Sequence, residues 1–256
     1  MKMPSQHARL SASSSKAWLS CSGFIAFQDN YKSCDDEESE YAKEGTQAHE
    51  LAERKLNHIF FKGPSVRRTK DNADMLYYVD QYVDYVVSLH SDLVRKYGPK
   101  NVDVKVEQRL DFSNVVPEGF GTGDAVILTP DELHIVDLKY GMGVPVSAIE
   151  NSQLKLYGLG AINQYDELYD IKKVVLHIAQ VRLDYGFSSF EIARDVLEAW
   201  GEDVKKSAED IFNGIISFHP GEEQCRWCEG RPMCAKRWEL LFEPIKKIIN
   251  LRSEEL

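Results

Sequence analysis

The sequence predicts a mixed α/β fold built around one sheet. Three observations carry this. An apolar helical stripe over residues 73–97 gives way at Val102 to alternation with period two. Three strands are then followed by a helix and another apolar, β-branched run. No internal repeat and no linker rich in Pro, Gly or Ser divides the chain. One elaborated domain over residues 1–256 is expected, with a helical N-terminal region at 4–100, a core sheet at 101–193, and C-terminal helices with a cysteine-bearing segment at 194–256.

The elements follow in order. The tract Ser11-Ala12-Ser13-Ser14-Ser15 offers N-cap hydroxyls for a short helix ending near Cys21. Residues 38–57 read as a helix because Gly45, Ala48, His49, Ala52 and Leu56 recur at i, i+3, i+4, i+7 and i+11. That spacing puts His49 on a small-residue face turned toward the body. Residues 62–72 form a loop carrying Lys62, Arg67, Arg68 and Lys70. The stripe of the 73–97 helix is Leu76, Val79, Val83, Val86, Val87, His90 and Val94, and Gly98-Pro99 stops it.

Val102, Val104 and Val106 alternate with Asp103, Lys105 and Glu107 in a half-buried strand. Strands near 122–129 and 133–139 flank a Pro130-Asp131 turn. Gly141 and Gly143 break the pattern, and a helix follows from Ala148 to about Gln164. Val174 to Val181 reads as a buried strand, Ser188 to Ile192 as one more, and Arg194 to Phe212 as a helix.

Composition bounds the function. The chain has 256 residues, 43% of them hydrophobic, enough for a sizeable core. No apolar run approaches the roughly 18–20 residues of a membrane span. The opening Met1-Lys2-Met3-Pro4-Ser5 lacks the apolar core of a signal peptide, so a soluble cytoplasmic protein with no membrane partner is expected. A net charge of −10 argues against coating nucleic acid by bulk electrostatics. Much of that excess lies in the run Asp35-Asp36-Glu37-Glu38-Ser39-Glu40, a solvated face or loop.

The chemistry concentrates between Gly121 and Tyr157. Asp124 and Asp137 come at the ends of apolar runs on neighbouring strands, and Lys139 shares a strand face with Asp137. Two carboxylates holding Mg²⁺ or Mn²⁺, with the Leu138 carbonyl completing the coordination, suit cleavage of a phosphodiester. Lys139 would orient the attacking water or stabilise developing negative charge. The glycines at 119, 121 and 123 let backbone approach a ligand. Gln153 and Tyr157, spaced i, i+4, share one helical face from which an amide and a phenol reach phosphate or a base edge. Glu107 is a further acid nearby, but alternation places it opposite the valines, and it is left out of the site.

These residues resemble the RecB-like branch of the PD-(D/E)XK nuclease superfamily. That branch orders a helix-borne histidine, Gly-x-x-Asp, (Asp/Glu)-x-Lys and Gln-x3-Tyr, matched here by His49, Gly121 to Asp124, Asp137-Leu138-Lys139, and Gln153 to Tyr157. The resemblance implies a restriction-endonuclease-like core with a mixed central sheet. His49, Asp124 and Asp137 would be metal ligands, Lys139 catalytic, and Gln153 and Tyr157 positioners of DNA. Asp137 stands where glutamate is frequent, which the pattern permits.

The five cysteines are Cys21, Cys34, Cys225, Cys228 and Cys234, an odd number that makes a disulfide framework a poor reading for an intracellular chain. The last three form C-x2-C-x5-C and need a fourth ligand, for which Cys21 and Cys34 are the candidates. Zinc and a [4Fe–4S] cluster both accept four thiolates, and zinc is the commoner structural ion. The resemblance reverses that preference. CRISPR-associated RecB-like and AddB-type nucleases ligate a [4Fe–4S] cluster with one cysteine before the core and three after it. That pattern selects Cys21, Cys225, Cys228 and Cys234, with Cys34 spare. Arg226, Arg231, Lys236 and Arg237 flank the trio as a basic lip for DNA or, by default, as a solvated surface.

The chain also resembles a phage-encoded family of unassigned function, through the Leu10-Ser11-Ala12-Ser13 opening and Trp18-Leu19-Ser20-Cys21, with similarity from about Leu10 to Trp238. Together these resemblances imply a divalent-metal-dependent deoxyribonuclease, an exonuclease on single-stranded DNA or DNA ends. It would serve phage recombination, replication or end processing in a bacterial host cell. Other phage recombination or replication proteins, or a second copy of the chain, are its expected partners. The rival readings are a non-catalytic DNA-binding or assembly protein on the same fold and a zinc-stapled interaction module.

Overall fold

The structure is a computed structural model describing residues 8–30, 39–70 and 72–254, with side chains through residue 244. Cys34, the Met1–Ser5 opening and Asp35 to Glu38 lie outside the described residues. The helices among the described residues are α1 (Ser15–Ser20), α2 (Gly23–Asn30), α3 (Glu40–Phe61), α4 (Ala73–Tyr97), α5 (Ser152–Tyr165), α6 (Arg194–Phe212) and α7 (Ala235–Glu254). The strands are β1 (Asp103–Asp111), β2 (Phe120–Leu128), β3 (Glu132–Lys139), β4 (Lys173–Gln180) and β5 (Phe187–Ala193). None of the helices is long and apolar enough to cross a membrane.

The five strands form one mixed sheet in sequence order. Only β3 and β4 run parallel, with α5 as the crossover between them, as a parallel connection requires. Helices cover both faces. One core joins Val126, Leu128, Leu133, Ile135, Leu176 and Ile178 of the sheet to α5, α6 and the N-terminal residues Leu10, Trp18 and Ile25. The other joins Ala125, Ile127, Val136 and Leu138 to α3 and α4 through Ala48, Ala52, Val79 and Tyr82. This is the mixed α/β architecture that the pattern predicts, in three layers.

Where the elements depart from expectation, specific contacts explain it. The serines before α1 do not cap it: Ser14 makes no side-chain cap bond and instead pairs with Ser11 Oγ at 2.8 Å. Ser15 Oγ lies 2.6 Å from Ser152 Oγ, tying α1 to the start of α5. Helix α5 starts four residues later than expected, because Glu150 takes φ 52° and the Asn151 side chain accepts from Leu154 N–H. Helix α2 has no clear signal in the sequence, and its order comes from residues near 220, described below.

Beneath α4 lies a buried polar chain that sequence patterning left unread. Tyr85 Oη is 2.8 Å from His177 Nδ1, and His177 Nε2 is 3.1 Å from His134 Nδ1. Burial lowers both imidazoles, His134 to about 4 against the pull of Glu132, and His177 to about 3 with help from His134. Both are therefore neutral in the fold at pH 7. Their folded values lie below the unfolded value of 6.5, so their contribution is complete above pH 6.5 and is lost as pH falls toward 4 and 3. Urea unfolding at pH 5 is expected to show a loss of about 2 kcal/mol per histidine relative to pH 7.5. A His177→Gln variant should have a flatter profile; an unchanged pH dependence would contradict the assignment.

Candidate functional site

The site forms where the sheet opens. The β2–β3 ladder ends at Ala125↔Val136, whereas β3 continues to pair with β4 as far as Lys139↔Gln180. Asp124 and Asp137 are the next residues on the two diverging strands. Asp124 Oδ2 accepts the Leu138 N–H at 2.6 Å, so a carboxylate takes the place of a ladder partner. Its other oxygen, Oδ1, lies 3.1 Å from His49 Nδ1 on α3. Asp124 is buried and His49 half-buried. Burial works to lower the His49 pKa, but the charge and hydrogen bond of Asp124 outweigh it and raise the imidazole to about 9.

Asp137 carries the second half. Lys139 Nζ lies 2.8 Å from Asp137 Oδ2 and donates to Gln153 Oε1 at 3.0 Å. Gln153 Nε2 in turn lies 3.2 Å from Asp137 Oδ1 and 3.1 Å from Tyr157 Oη. Asp137 is buried, which pushes its pKa up against the opposing charge of Lys139. Burial would lower Lys139, yet Asp137 dominates and raises it. Lys139 is thus held as an ammonium, suited to stabilising negative charge and not to taking up a proton. The fold brings all six predicted residues, His49, Asp124, Asp137, Lys139, Gln153 and Tyr157, into two linked groups. Leu138 enters through its N–H. Tyr157 is 6% exposed, so its phenol orients Gln153 from within the core.

Two expectations are corrected. The first concerns the glycines. An added Cβ at Gly119 would meet the Phe112 ring at 2.6 Å, one at Gly121 would meet Tyr157 Cε1 at 2.5 Å, and one at Gly123 would meet Leu110 Cδ1 at 3.0 Å. These glycines make room for core side chains, not for a ligand. Gly121→Ala is expected to push the Tyr157 ring aside and cost about 1–3 kcal/mol, measured by urea unfolding.

The second concerns Glu107. Pairs Val106↔Ala125 and Gln108↔Gly123 flank it, so Glu107 stands across the ladder from Asp124. Strict alternation would turn Glu107 away from Val104 and Val106, which face α3 and α4, yet its carboxylate lies beside His49 of α3. Glu107 has φ 48°, and the face alternation inverts there: Val104 lies in the core under α3 and α4, Leu110 in the core under α5. Among the described residues, the one set of three or more His, Cys, Asp or Glu donors lying within 4.8 Å of one another is His49, Glu107 and Asp124. Burial, then Asp124, raise the Glu107 carboxyl to about 7, with His49 opposing. The missing signal was the β1–β2 register, which no local pattern supplies.

A second constellation joins the chain ends. Cys21 caps α1 and is buried, as is Cys234; Cys225 and Cys228 are half-buried. Burial raises the Cys228 thiol, the Gly230 amide opposes this, and Cys225, Cys21 and Cys234 each push it further up. Direct bonds hold the junction. His219 N–H points at Cys21 Sγ at 3.3 Å, Gly23 N–H donates to Ser217 O at 3.0 Å, and Ser217 N–H donates to Ser22 Oγ at 2.7 Å. Phe27 and Phe218 pack edge to face at 5.8 Å, with Gly230 against Phe27 and Gly23 against Phe218. These contacts order α2. Of the flanking cations, Lys236 pairs with Glu239, and Arg226 and Arg231 are exposed.

Fold and site together define a mixed α/β protein with a half-buried histidine–carboxylate–lysine centre and a separate four-thiol junction. The chain belongs to the family described as "Protein of unknown function (DUF2800)", which matches residues 7–253. A solved structure described as "Crystal structure of SSO0001" is similar at 15% identity, covering 75% of this chain and 98% of that one, with a TM-score of 0.30.

Proposed function

We propose that this protein is a divalent-metal-dependent deoxyribonuclease of the RecB-like PD-(D/E)XK type, acting on single-stranded DNA or DNA ends. The observation that carries the reading is the joining of Asp137, Lys139, Gln153 and Tyr157 in one hydrogen-bonded chain beside the Asp124–His49 pair. A bare surface Asp-x-Lys pair would need none of these partners.

The donor set fits a hard cation, since an imidazole and a carboxylate already stand within coordinating reach of one another. His49, Asp124 and Asp137, with the Leu138 carbonyl, would hold Mg²⁺ or Mn²⁺. When bound, the ion supplies charge neutralisation at the phosphate and an acidified water. The protein's own residues do the rest. Lys139 places a fixed positive charge where the phosphate gains negative charge. Gln153 holds Lys139 in register with Asp137, and Tyr157 holds Gln153. The cation also answers the net charge of −10, because the carboxylates repel phosphate until they are neutralised.

The thiol junction is read as a [4Fe–4S] site formed by Cys21, Cys225, Cys228 and Cys234. Tetrahedral zinc holds thiolates about 3.8 Å apart, from bonds of about 2.3 Å. A [4Fe–4S] cluster spreads its thiolate ligands over several irons, and the order of one cysteine before the core and three after it is what favours that group here. The cluster's part is to staple the two chain ends.

The test is cleavage of end-labelled single-stranded, duplex and flapped DNA by anaerobically purified protein with Mn²⁺. Loss of label from one end in Mn²⁺-dependent steps is expected. A wild type inert on all three substrates, and indistinguishable from Lys139→Ala, would leave a non-catalytic DNA-binding protein on the same fold.

A further inference from the structure

We propose that Glu107 and Tyr82 belong to the cation centre, Glu107 as a ligand beside His49 and Asp124, and Tyr82 as a positioning residue whose hydroxyl serves the same carboxylates. This rests on the metal-dependent reading of the site above.

The first observation is the donor geometry. Glu107 offers an oxygen within 4.8 Å of both the His49 and Asp124 donor atoms. Asp137, by contrast, is engaged on one oxygen by Lys139 and on the other by Gln153. Glu107 is therefore the less encumbered carboxylate. It comes from β1 and Asp124 from β2, so donors on two adjacent strands and on α3 come together.

The second observation is independent. Tyr82, on α4, is 0% exposed, and its hydroxyl has no hydrogen-bond partner among the described residues. Its ring packs in the same core as Ala125, Val136 and Leu138, the sequence neighbours of the site residues. Burial first, then the charges of Asp124, Asp137 and Glu107, raise its phenol well above the ordinary value. A buried hydroxyl without a partner costs stability, and phenylalanine at this position would avoid that cost. An orphaned donor at this depth marks where a further polar group is accommodated. The other buried side chains of α4, Leu76, Val79, Val83, Val86 and Leu93, are apolar.

The experiment is Mn²⁺ titration, with free Mn²⁺ read by electron paramagnetic resonance, together with thermal unfolding with and without Mn²⁺. Wild type, Glu107→Gln, Tyr82→Phe and Asp124→Asn are compared. Glu107→Gln should weaken Mn²⁺ binding by roughly tenfold or more, as loss of a group that holds or orients a metal does. Tyr82→Phe should unfold at the same or a higher temperature without metal, yet gain less from Mn²⁺ than wild type. A purely structural role for Tyr82 would leave the metal-induced rise unchanged. If wild type binds Mn²⁺, Asp124→Asn does not, and both new variants bind like wild type, the proposal is overturned while the cation centre stands. If wild type and Asp124→Asn bind alike, the centre itself is overturned, and this proposal with it.

Discussion

Replacing Lys139 with alanine is expected to lower Mn²⁺-dependent DNA cleavage by roughly 10²–10³-fold, the loss typical of removing one group that stabilises transition-state charge. The effect should fall on the cleavage step, because Lys139 is an ammonium beside Asp137 and Gln153 and offers no lone pair to a metal. Mn²⁺ binding should therefore survive. Folding needs a control, since the substitution leaves the buried Asp137 without its cation, and breaking a buried pair costs about 3–5 kcal/mol. Part of that cost is relieved by protonation, because burial already raises the Asp137 pKa. Circular dichroism and Mn²⁺ titration on the same preparation separate an inactive fold from an unfolded chain. Wild-type rates in Lys139→Ala would remove the residue from the mechanism.

The other large effect concerns the thiol junction. Cys21→Ser should abolish the thiolate-to-iron absorbance of anaerobically purified protein and lower its stability substantially. A cross-link between Cys21 and Cys225 closes a loop of about 200 residues, for which chain entropy sets a scale of about 5 kcal/mol. Some of that is retained without the cluster, because the Gly23–Ser217 and Ser22–Ser217 bonds do not involve a thiol. Iron and sulfide analysis gives the direct readout. Stoichiometric zinc with neither iron nor sulfide would replace the cluster with a zinc staple. Full absorbance in Cys21→Ser would pass the fourth ligand to Cys34.

Much of the fold was legible because its elements carry their own reasons. Helix α6 begins and ends where its periodicity does, and α4 runs from residue 73 to the Gly98 stop. The order of His49, Asp124, Asp137, Lys139, Gln153 and Tyr157 marked the site because each sits at a strand or helix position that the local pattern defines. The remainder depended on long-range pairing. Glu107 needed the β1–β2 register, and Tyr82 was hidden in a valine stripe whose burial it shares. The glycines at 119, 121 and 123 read as ligand approaches because only packing shows that Phe112, Tyr157 and Leu110 occupy their space. Helix α2 has no pattern of its own, since its contacts to Ser217 and Phe218 lie nearly two hundred residues away.

That last contact has a consequence for biosynthesis. Leu10, Trp18 and Ile25 complete a core whose sheet and α6 are made later, and the partners of residues 21–27 are at 217–230. This segment is thus made well before the residues it packs against. Until then its apolar side chains lack their core partners, and a nascent chain stalled before them would expose these side chains. Pulse proteolysis of ribosome-bound intermediates should find the segment before residue 30 cleavable after the sheet has become resistant.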